Sequence, residues 1–418
     1  MSTAKNPSSD APRTAAEPDK PLAGLRVLDI ATFVAAPFAA SLLGEFGAEV
    51  IKIEQPGEGD PLRKFGARVS EDSTLVWKSE ARNKKSVCLD LRRPLGAVLF
   101  KRLVEKSDVV CENFRPGTLE KWGLGYDTLA ALNPGLVLLR ITGYGQTGPY
   151  AGRPGFARIA HAFGGLTHLA GMPGGPPVTP GSTSLADYAS GLFGAFGVLT
   201  ALRQRDRTGL GQVVDIALYE SIFRFLDEVA PLHARAGTVR EREGLYTVTA
   251  CPHGHYPTKD GKWVAIACTS DRMFERFAAL VAARGSSPPA RWSTVPGRLP
   301  EREAVNDWAA RFTETLERDA LIETCVAHEV PCAAVMDISD IFADPHYAAR
   351  AVLHRMRDAT DGETYVVPNV VPRLSATPGS IDTLGPPLNA HADYVLGELL
   401  GLSPEEIEAA ARAGAIQR

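Results

Sequence analysis

The stretch Arg26-Val27-Leu28-Asp29-Ile30 decides the fold, because it begins a regular alternation of short apolar runs and helical segments. The run itself predicts a buried strand. A helix of small residues, with proline in its first turn, is predicted over residues 37–46. A second strand is predicted over residues 49–53. This order of strand, helix and strand is typical of a parallel crossover unit.

The same alternation continues along the chain. Residues 94–106 predict an amphipathic helix with a basic outer face. Further strands are predicted over residues 108–111, 136–141 and 213–216. Such alternation favours a parallel sheet with crossover helices, so we predict an α/β protein with a large, open, Rossmann-like parallel sheet.

The loop after the first strand argues against a dinucleotide cofactor. Its sequence, from Ala31 to Pro37, lacks the Gly-x-Gly-x-x-Gly pattern that cradles a pyrophosphate. A nicotinamide-dependent enzyme is therefore not predicted.

A smaller α+β domain is predicted after a change of composition near residue 236. A long helix over residues 219–235 precedes a charged linker over 237–244, and Asp260-Gly261 predicts a hairpin. Later helices are predicted over residues 273–283, 303–315, 318–328 and 404–413. We assign residues 1–20 to a disordered tail, 21–225 to a large domain completed by about 345–418, and 226–344 to the linker and small domain.

Bulk composition limits the classes of function. The chain has 418 residues and a formal net charge of −4, so no basic field attracts nucleic acid. We find no run of about 18 apolar residues and predict no membrane span. The first residues mix acids with bases and do not resemble a secretory signal or a transit peptide. The scattered cysteines predict reduced, buried thiols in a cytoplasmic protein: Cys88, Cys111, Cys251, Cys268, Cys325 and Cys332.

Asp187 is the leading candidate for a reacting group. It lies at the head of an otherwise uncharged helix in which Gly191, Gly194 and Gly197 recur every third residue. Small residues at this spacing allow another backbone to approach closely. Because Ser184 and Asp187 also match a capping box, Asp187 is either a helix cap or a nucleophile toward an acyl carbonyl. As a nucleophile, it would be kept ionised by the helix amides.

Two segments before this helix have the residues to hold a phosphorylated ligand. Arg82-Asn83-Lys84-Lys85-Ser86 precedes a strand-like run over residues 87–91. Glu112-Asn113-Phe114-Arg115-Pro116-Gly117 lies at the carboxyl end of a predicted strand, where open α/β sheets bind ligands. A helix starting at Gly117 would direct amides toward an anion. For the basic quartet over residues 82–85, a solvated turn is the alternative.

A zinc site is a weaker possibility. Cys251, His253 and His255 alternate along the chain, but three ligands on one strand edge with no fourth at regular spacing make a poor structural zinc site. No metal is therefore predicted.

Several segments together resemble the class III coenzyme A transferases, the family that includes formyl-CoA transferase, carnitine-CoA transferase and α-methylacyl-CoA racemase. The matching segments are PLAGLRVLD (21–29), GAEVIKIE (47–54), RNKKS (82–86), ENFRPG (112–117), GYGQTGPY (143–150) and RTGLGQ (207–212). The similarity runs from about residue 21 to the C-terminus and is strongest before residue 220.

The resemblance implies that Asp187 is the catalytic aspartate, which passes through an acyl anhydride and an aspartyl-CoA thioester. Coenzyme A is then a substrate rather than a permanently bound cofactor, and the protein is an interlocked homodimer. The implied coenzyme A contacts are Val34, Ala35, Arg82, Lys84, Asn113, Phe114, Arg115, Lys121, Tyr144 and Leu218. Gln55 departs from the arginine of some members, which leaves the phosphate contacts open.

Transferase and racemase differ in the acid–base groups that they need. Racemases of this family use a histidine in a Gly-His-Asp turn and a glutamate after the small-domain strand to move an α-proton. Here those positions hold Phe156 and Ser270, neither of which can carry the proton. We predict a transferase, with a racemase and a non-catalytic CoA-ester binding protein as the alternatives.

The acceptor is predicted from the segments around residues 155–163 and 182–188. They look most like members that pass coenzyme A from succinyl-CoA to a second dicarboxylate, such as malate, citramalate, mesaconate or a benzylsuccinate-type acid. In that case Arg158 would pair with the carboxylate that does not react, with His161 nearby, unless Arg158 is only a surface residue.

Overall fold

A computed structural model of the protein describes residues 20–182 and 184–418. By their contacts the residues form a first unit, 20–142, 191–216 and 355–418, and a second unit, 143–190 and 217–354. This division differs from the predicted domains over 143–190, 217–225 and about 345–354, which were all predicted to belong to the large domain. Residues 1–19 of the predicted tail lie outside the described residues.

The strands are, in chain order, β1 (Arg26–Asp29), β2 (Glu49–Glu54), β3 (Lys84–Cys88), β4 (Val109–Glu112), β5 (Val137–Thr142), β6 (Val213–Ala217), β7 (His253–Pro257), β8 (Trp263–Ala267), β9 (Cys332–Ala334), β10 (Leu353–Arg357) and β11 (Thr364–Pro368).

The helices are α1 (Ala35–Glu45), α2 (Leu75–Glu80), α3 (Pro94–Val104), α4 (Thr118–Lys121), α5 (Tyr126–Leu132), α6 (Ala157–Phe163), α7 (Leu166–Leu169), α8 (Leu185–Thr208), α9 (Leu218–Phe223), α10 (Val229–Ala236), α11 (Asp271–Ala282), α12 (Val295–Arg298), α13 (Arg302–Thr313), α14 (Arg318–Ala327), α15 (Ile338–Ala343), α16 (Pro345–Ala349) and α17 (Pro404–Arg412). Short 3₁₀ turns lie at Pro61–Lys64, Ala290–Ser293 and Leu299–Glu301, and a π-helical turn at Asp393–Leu399.

The first unit is built on a six-stranded sheet in the order β3-β2-β1-β4-β5-β6. The pairs β1–β2, β1–β4, β2–β3 and β4–β5 are parallel, with Leu28 opposite both Ile51 and Val110. The chain order reverses between β1 and β4, which in open α/β sheets is where ligands bind. The predicted α/β fold with a Rossmann-like parallel sheet is confirmed.

The apolar runs that predicted the strands form the core of this unit. Leu28, Ile51, Val110 and Leu138 are fully buried, together with Phe100 of α3. Strands that are covered on both faces are apolar along their length, which is why their sequences do not alternate with polar residues.

The glycines of α8 allow close packing within the first unit, as their spacing predicted. A Cβ on Gly191 would lie 2.6 Å from the carbonyl oxygen of Ala35, and one on Gly197 would lie 2.7 Å from Val214. By length and composition alone, α8 could also cross a membrane, which corrects the expectation that no apolar stretch is long enough. Half of that stretch is buried in the protein, and a buried core helix can have the same length and the same apolar composition.

The second unit contains an antiparallel sheet in the order β7-β8-β9. The hairpin predicted around Asp260-Gly261 is present, with Tyr256 opposite Val264. The long helix predicted over residues 219–235 is wrong, because α9 ends at Phe223 and α10 begins at Val229. Asp227, between them, has a φ of 46°, in the left-handed region that a continuous α-helix excludes.

Candidate active site

A cavity of about 240 Å³ opens at the carboxyl edge of the first unit's sheet. We call it the sheet-edge cavity. Its walls come from the ends of β1, β2 and β4 and from the loops that follow β2 and β3, including Thr32, Gln55, Arg92, Phe114 and Trp122. The cavity therefore lies beside the reversal of strand order.

The loop between β1 and α1 forms one wall of this cavity and is held in shape from two sides. Asn113, after β4, accepts the Thr32 N–H at 2.8 Å and donates to the Thr32 carbonyl at 2.7 Å. Phe33 has a φ of 61° and donates its N–H to Asp60 at 3.0 Å. The predicted contact residues Val34 and Ala35 follow directly and are buried.

A buried network of charges lies under the same edge. Asp29, the last residue of β1, pairs with Lys84 at 2.8 Å and with Lys52 at 3.4 Å, and Lys52 also pairs with Asp60 at 2.8 Å. Burial raises the pKa of Asp29, but the charges of Lys52 and Lys84 outweigh it and hold that pKa below its usual value. The network fixes the strand ends on which the cavity is built.

Two of the predicted coenzyme A contacts are engaged within the protein. Lys84 is buried and also donates to the carbonyl of Pro37 at 2.7 Å. Arg82 is buried, lies 3.1 Å from Glu45 and donates to the carbonyl of Pro368 at 2.5 Å. Because Arg82 and Lys84 are buried, the alternative of a solvated turn is wrong for both residues. In addition, β3 begins at Lys84 and not at residue 87, where the strand was predicted to start.

The remaining predicted contacts of this unit are more accessible. Phe114 lines the sheet-edge cavity and packs edge-on against Trp122, with ring centroids 5.2 Å apart. Arg115 and Lys121 are exposed. The helix expected after Gly117 is present but short, as α4 covers only Thr118–Lys121.

Sequence reasoning missed Arg92 and Trp122, which also line the sheet-edge cavity. Arg92 is exposed and pairs with Asp90 at 2.8 Å. The sequence could have indicated Arg92, because Asp90 and Arg92 come shortly after β3, at the edge of the sheet where such folds bind ligands. Trp122 carried no local signal, since only the packing of α4 brings its ring to Phe114.

Asp187 lies in the first turn of α8 and is partly buried. Burial raises the pKa of its carboxyl group from 3.8 to about 7. A capping box, one of the two predicted alternatives, would direct the Ser184 N–H to the Asp187 carboxylate, but this N–H donates to the hydroxyl of Ser182 at 3.2 Å. Within residues 20–182 and 184–418, the Asp187 carboxylate has no hydrogen-bond or ion-pair partner.

His161 and Arg158 lie on α6, in the same unit as Asp187. His161 is buried, and its Nε2 accepts the N–H of Ala186 at 3.0 Å, one residue before Asp187. Burial and then the charge of Arg158 lower the pKa of His161. Arg158 itself is exposed and donates to the Thr179 hydroxyl at 3.2 Å.

Tyr144 and Leu218, the other predicted contacts, also belong to the second unit. Tyr144 lies in an aromatic cluster with Phe163 and Tyr219, with ring centroids 5.1 Å and 6.3 Å from its own. Leu218 begins α9 and is buried. This cluster borders α6, the helix that carries Arg158 and His161.

The two positions that a racemase would use have other roles here. Phe156 precedes α6 and is exposed. Ser270 caps α11 by accepting the N–H of Met273 at 3.3 Å. Among the described residues, no cluster of three or more His, Cys, Asp and Glu side chains could hold a metal ion, and this includes Cys251, His253 and His255.

Comparison with known proteins identifies the family. The model of CoA-transferase family III matches residues 22–392. The beta subunit of succinyl-CoA–L-malate CoA-transferase from Chloroflexus aurantiacus is 55% identical, over 93% of this chain and 96% of that protein. The alpha subunit from Chloroflexus aurantiacus is 52% identical, over 97% and 95%.

The fold of this chain is similar to that of a protein whose structure has been solved. A CaiB/BaiF family protein from Brucella suis superposes with a TM-score of 0.81 at 32% identity, over 91% of this chain and 100% of that one. The resemblance inferred from the motifs is confirmed along almost the whole chain. The protein belongs to CoA-transferase family III.

Proposed function

We propose that this protein transfers coenzyme A from succinyl-CoA to a free dicarboxylic acid, with malate as the first candidate acceptor. The names of the Chloroflexus relatives support this donor and this acceptor. The observation that carries the proposal is the carboxylate of Asp187, partly buried at the start of α8 and not used as a cap by the described residues.

In the first half of the reaction, a carboxylate oxygen of Asp187 attacks the thioester carbonyl of succinyl-CoA. The C–S bond breaks, the coenzyme A thiolate leaves, and a mixed anhydride joins the succinyl group to Asp187. The thiolate then attacks the Asp187 carbonyl, which releases succinate and leaves coenzyme A bound to Asp187 as a thioester. No ATP is needed, because one thioester replaces another.

In the second half, a carboxylate of the acceptor attacks the Asp187 carbonyl and expels the thiolate. The thiolate attacks the acyl carbon of the acceptor in the new anhydride, which gives the acceptor's CoA ester and restores the Asp187 carboxylate. Nucleophilic attack needs the ionised form of Asp187, and a pKa of about 7 leaves a substantial fraction ionised at neutral pH.

We assign the nucleotide part of coenzyme A to the sheet-edge cavity. Phe114 and Trp122 offer aromatic surface for the adenine ring. The exposed cations Arg92, Arg115 and Lys121 suit its phosphates. Asn113 holds Thr32, which lines this cavity, and Val34 and Ala35 follow Thr32 along the chain. Arg82 and Lys84 support the strand ends through the internal contacts described above.

The acceptor's second carboxylate is assigned to Arg158. Its side chain is exposed on α6, the helix whose His161 accepts the N–H of Ala186, the residue before Asp187. An arginine can bind a carboxylate through two parallel hydrogen bonds, which a monocarboxylic acid cannot exploit once its one carboxylate reacts.

The active form is proposed to be a cytoplasmic, interlocked homodimer. Leu192, Phe196 and Leu199 lie on one face of α8 and are 56%, 68% and 42% exposed. An exposed apolar stripe of this kind marks an interaction surface. Since the chain resembles the alpha and beta subunits almost equally, a second copy of itself is the proposed partner.

The function is tested by incubating the protein with succinyl-CoA and a panel of free acids and identifying the products by mass spectrometry. Malate, citramalate, mesaconate and glutarate are compared with acetate and butyrate. We expect a dicarboxylyl-CoA and an equal amount of succinate. Solvent deuterium at C2 of a recovered acyl-CoA, without transfer, would indicate a racemase instead. CoA-ester binding without either reaction would indicate a binding protein.

A further inference from the structure

We propose that His161 is a positioning residue that caps α8 in place of Asp187 and so leaves the Asp187 carboxylate free to attack. The inference rests on the proposed function, in which Asp187 is the nucleophile. His161 was predicted to lie near the acceptor acid. Here it is assigned instead to a hydrogen bond with the protein's own backbone.

The imidazole is buried, and one hydrogen bond joins it to the first turn of α8, while its Nδ1 has no hydrogen-bond partner among the described residues. His161 lies near the end of α6 and is 1% exposed. Its Nε2 accepts the Ala186 N–H at 3.0 Å. Directly after α6, a Cβ on Gly164 would lie 2.9 Å from the carbonyl oxygen of Tyr219, so the backbone of α6 packs tightly against α9. The ring therefore contacts the first turn of α8 from a rigid support.

The hydrogen bond requires a neutral imidazole with its lone pair on Nε2 and its proton on Nδ1. Burial, followed by the charge of Arg158, lowers the pKa of His161 and favours this neutral form. A protonated ring could not accept the Ala186 N–H, and it would place a positive charge at the positive end of the helix.

Asp187 is the side chain that would replace His161 as the cap. Acidic residues in the first turn of a helix commonly accept its unpaired N–H groups. A carboxylate that accepts a backbone N–H has a lower pKa and is a weaker nucleophile. In addition, the charge of Asp187 disappears when the anhydride or thioester forms, so a cap made by Asp187 would be lost in every cycle. His161 keeps the same hydrogen bond throughout.

The test compares His161→Leu, which removes the acceptor, with His161→Gln, which retains one in the side-chain oxygen. We expect His161→Leu to lower kcat about 10- to 100-fold with little change in KM for succinyl-CoA. Its pH–rate profile should shift to lower pH, because Asp187 then accepts the backbone N–H. His161→Gln should restore most of the activity and the original profile. His168→Leu, which removes an exposed imidazole from α7, is the matched control and should behave as wild type.

Unchanged kcat and an unchanged pH profile in His161→Leu would overturn the proposal. Equal losses in folded His161→Leu and His161→Gln would also overturn it, because they would show that the ring itself contacts the substrate. If His161→Leu does not fold, the rate at which succinyl-CoA acylates Asp187 in His161→Gln decides, with a loss of more than about tenfold counting against the cap. If wild type reacts but the variants match it, only this inference fails. If wild type forms no adduct, the proposed function fails.

Discussion

The side chain of Asn113 bonds both backbone polar groups of Thr32. The Thr32 N–H donates to Oδ1 at 2.8 Å, and Nδ2 donates to the Thr32 carbonyl at 2.7 Å. One amide thereby joins the end of β4 to the loop after β1, at the reversal of strand order. Thr32 lines the sheet-edge cavity, so this part of its wall is held in place by the pair of hydrogen bonds.

Removal of these bonds should weaken coenzyme A binding more than it slows the chemistry. We expect Asn113→Ala to raise KM for succinyl-CoA by up to about 30-fold, from the loss of two hydrogen bonds worth about 1 kcal/mol each, with kcat less affected. Asn113→Asp keeps the acceptor and should have a smaller effect. Asn133→Ala is a suitable control, because Asn133 also bonds backbone carbonyls, those of Val104 and Ser107. The control should lower stability without raising KM, and an equal rise in KM would count against this account of Asn113.

Activity should increase with pH across neutrality. Burial raises the pKa of Asp187 to about 7, so the nucleophilic carboxylate is lost as the pH falls below that value. We expect kcat to rise between about pH 6 and pH 8, with an inflection near 7. A profile that is flat over this range would show that Asp187 is fully ionised, or that it does not limit the rate.

The raised pKa of Asp187 also predicts that the stability of the folded protein depends on pH. The folded chain holds the Asp187 proton more tightly than the unfolded chain, whose carboxyl titrates near 3.8. The resulting stabilisation is complete below about pH 3.8, is lost progressively as the pH rises from there to about 7, and does not change further above that value. Asp187→Asn cannot ionise, so its stability relative to wild type should increase from pH 5.5 to pH 8.5. Parallel melting temperatures for both proteins over this range would contradict the shift.

Arg158 should govern the choice of acceptor. We expect Arg158→Met to reduce kcat/KM for malate about 10- to 100-fold, because a charged hydrogen-bonded pair is lost. Acceptors with one carboxylate should be affected little, and Arg158→Lys should be intermediate. Equal losses for malate and for butyrate would assign Arg158 to stability rather than to recognition.

The apolar stripe on α8 should hold the dimer together. The wild-type mass in solution should be twice the chain's 44.7 kDa. Phe196→Asp should shift the equilibrium toward monomers, which light scattering can measure. Val326→Asp, at an exposed apolar residue of α14, is the control and should remain dimeric. A monomeric wild type, or one that gains mass only with a different subunit, would refute the homodimer.

The sequence predicted elements whose signal is local. The apolar runs over residues 26–30 and 49–53 became β1 and β2 because fully buried parallel strands are apolar along their length. The break between α9 and α10 was missed, because aspartate is a residue type that a helix can contain. Only the backbone of the folded protein shows that Asp227 has a left-handed φ of 46°. Helical periodicity alone does not reveal such a turn.

The contacts of the candidate site were less predictable where two contacting residues lie far apart in the sequence. Arg82 and Lys84 read as a basic turn, but Asp29, Glu45 and Pro368 engage them in the folded protein. His161 carries no local signal for its hydrogen bond to Ala186. Asp187 stays a predicted site residue, and it was singled out because its position ahead of the glycines at 191, 194 and 197 is a local pattern.

The central claim is that Asp187 becomes covalently bonded during turnover. The most direct test is to mix the protein with succinyl-CoA, quench within the first turnovers, and map the mass of the peptide that contains Asp187. We predict that this peptide gains a succinyl group or coenzyme A, that hydroxylamine removes either adduct, and that Asp187→Asn gains neither. Transfer of coenzyme A by wild type with no adduct on this peptide, or an adduct that persists in Asp187→Asn, would contradict the account.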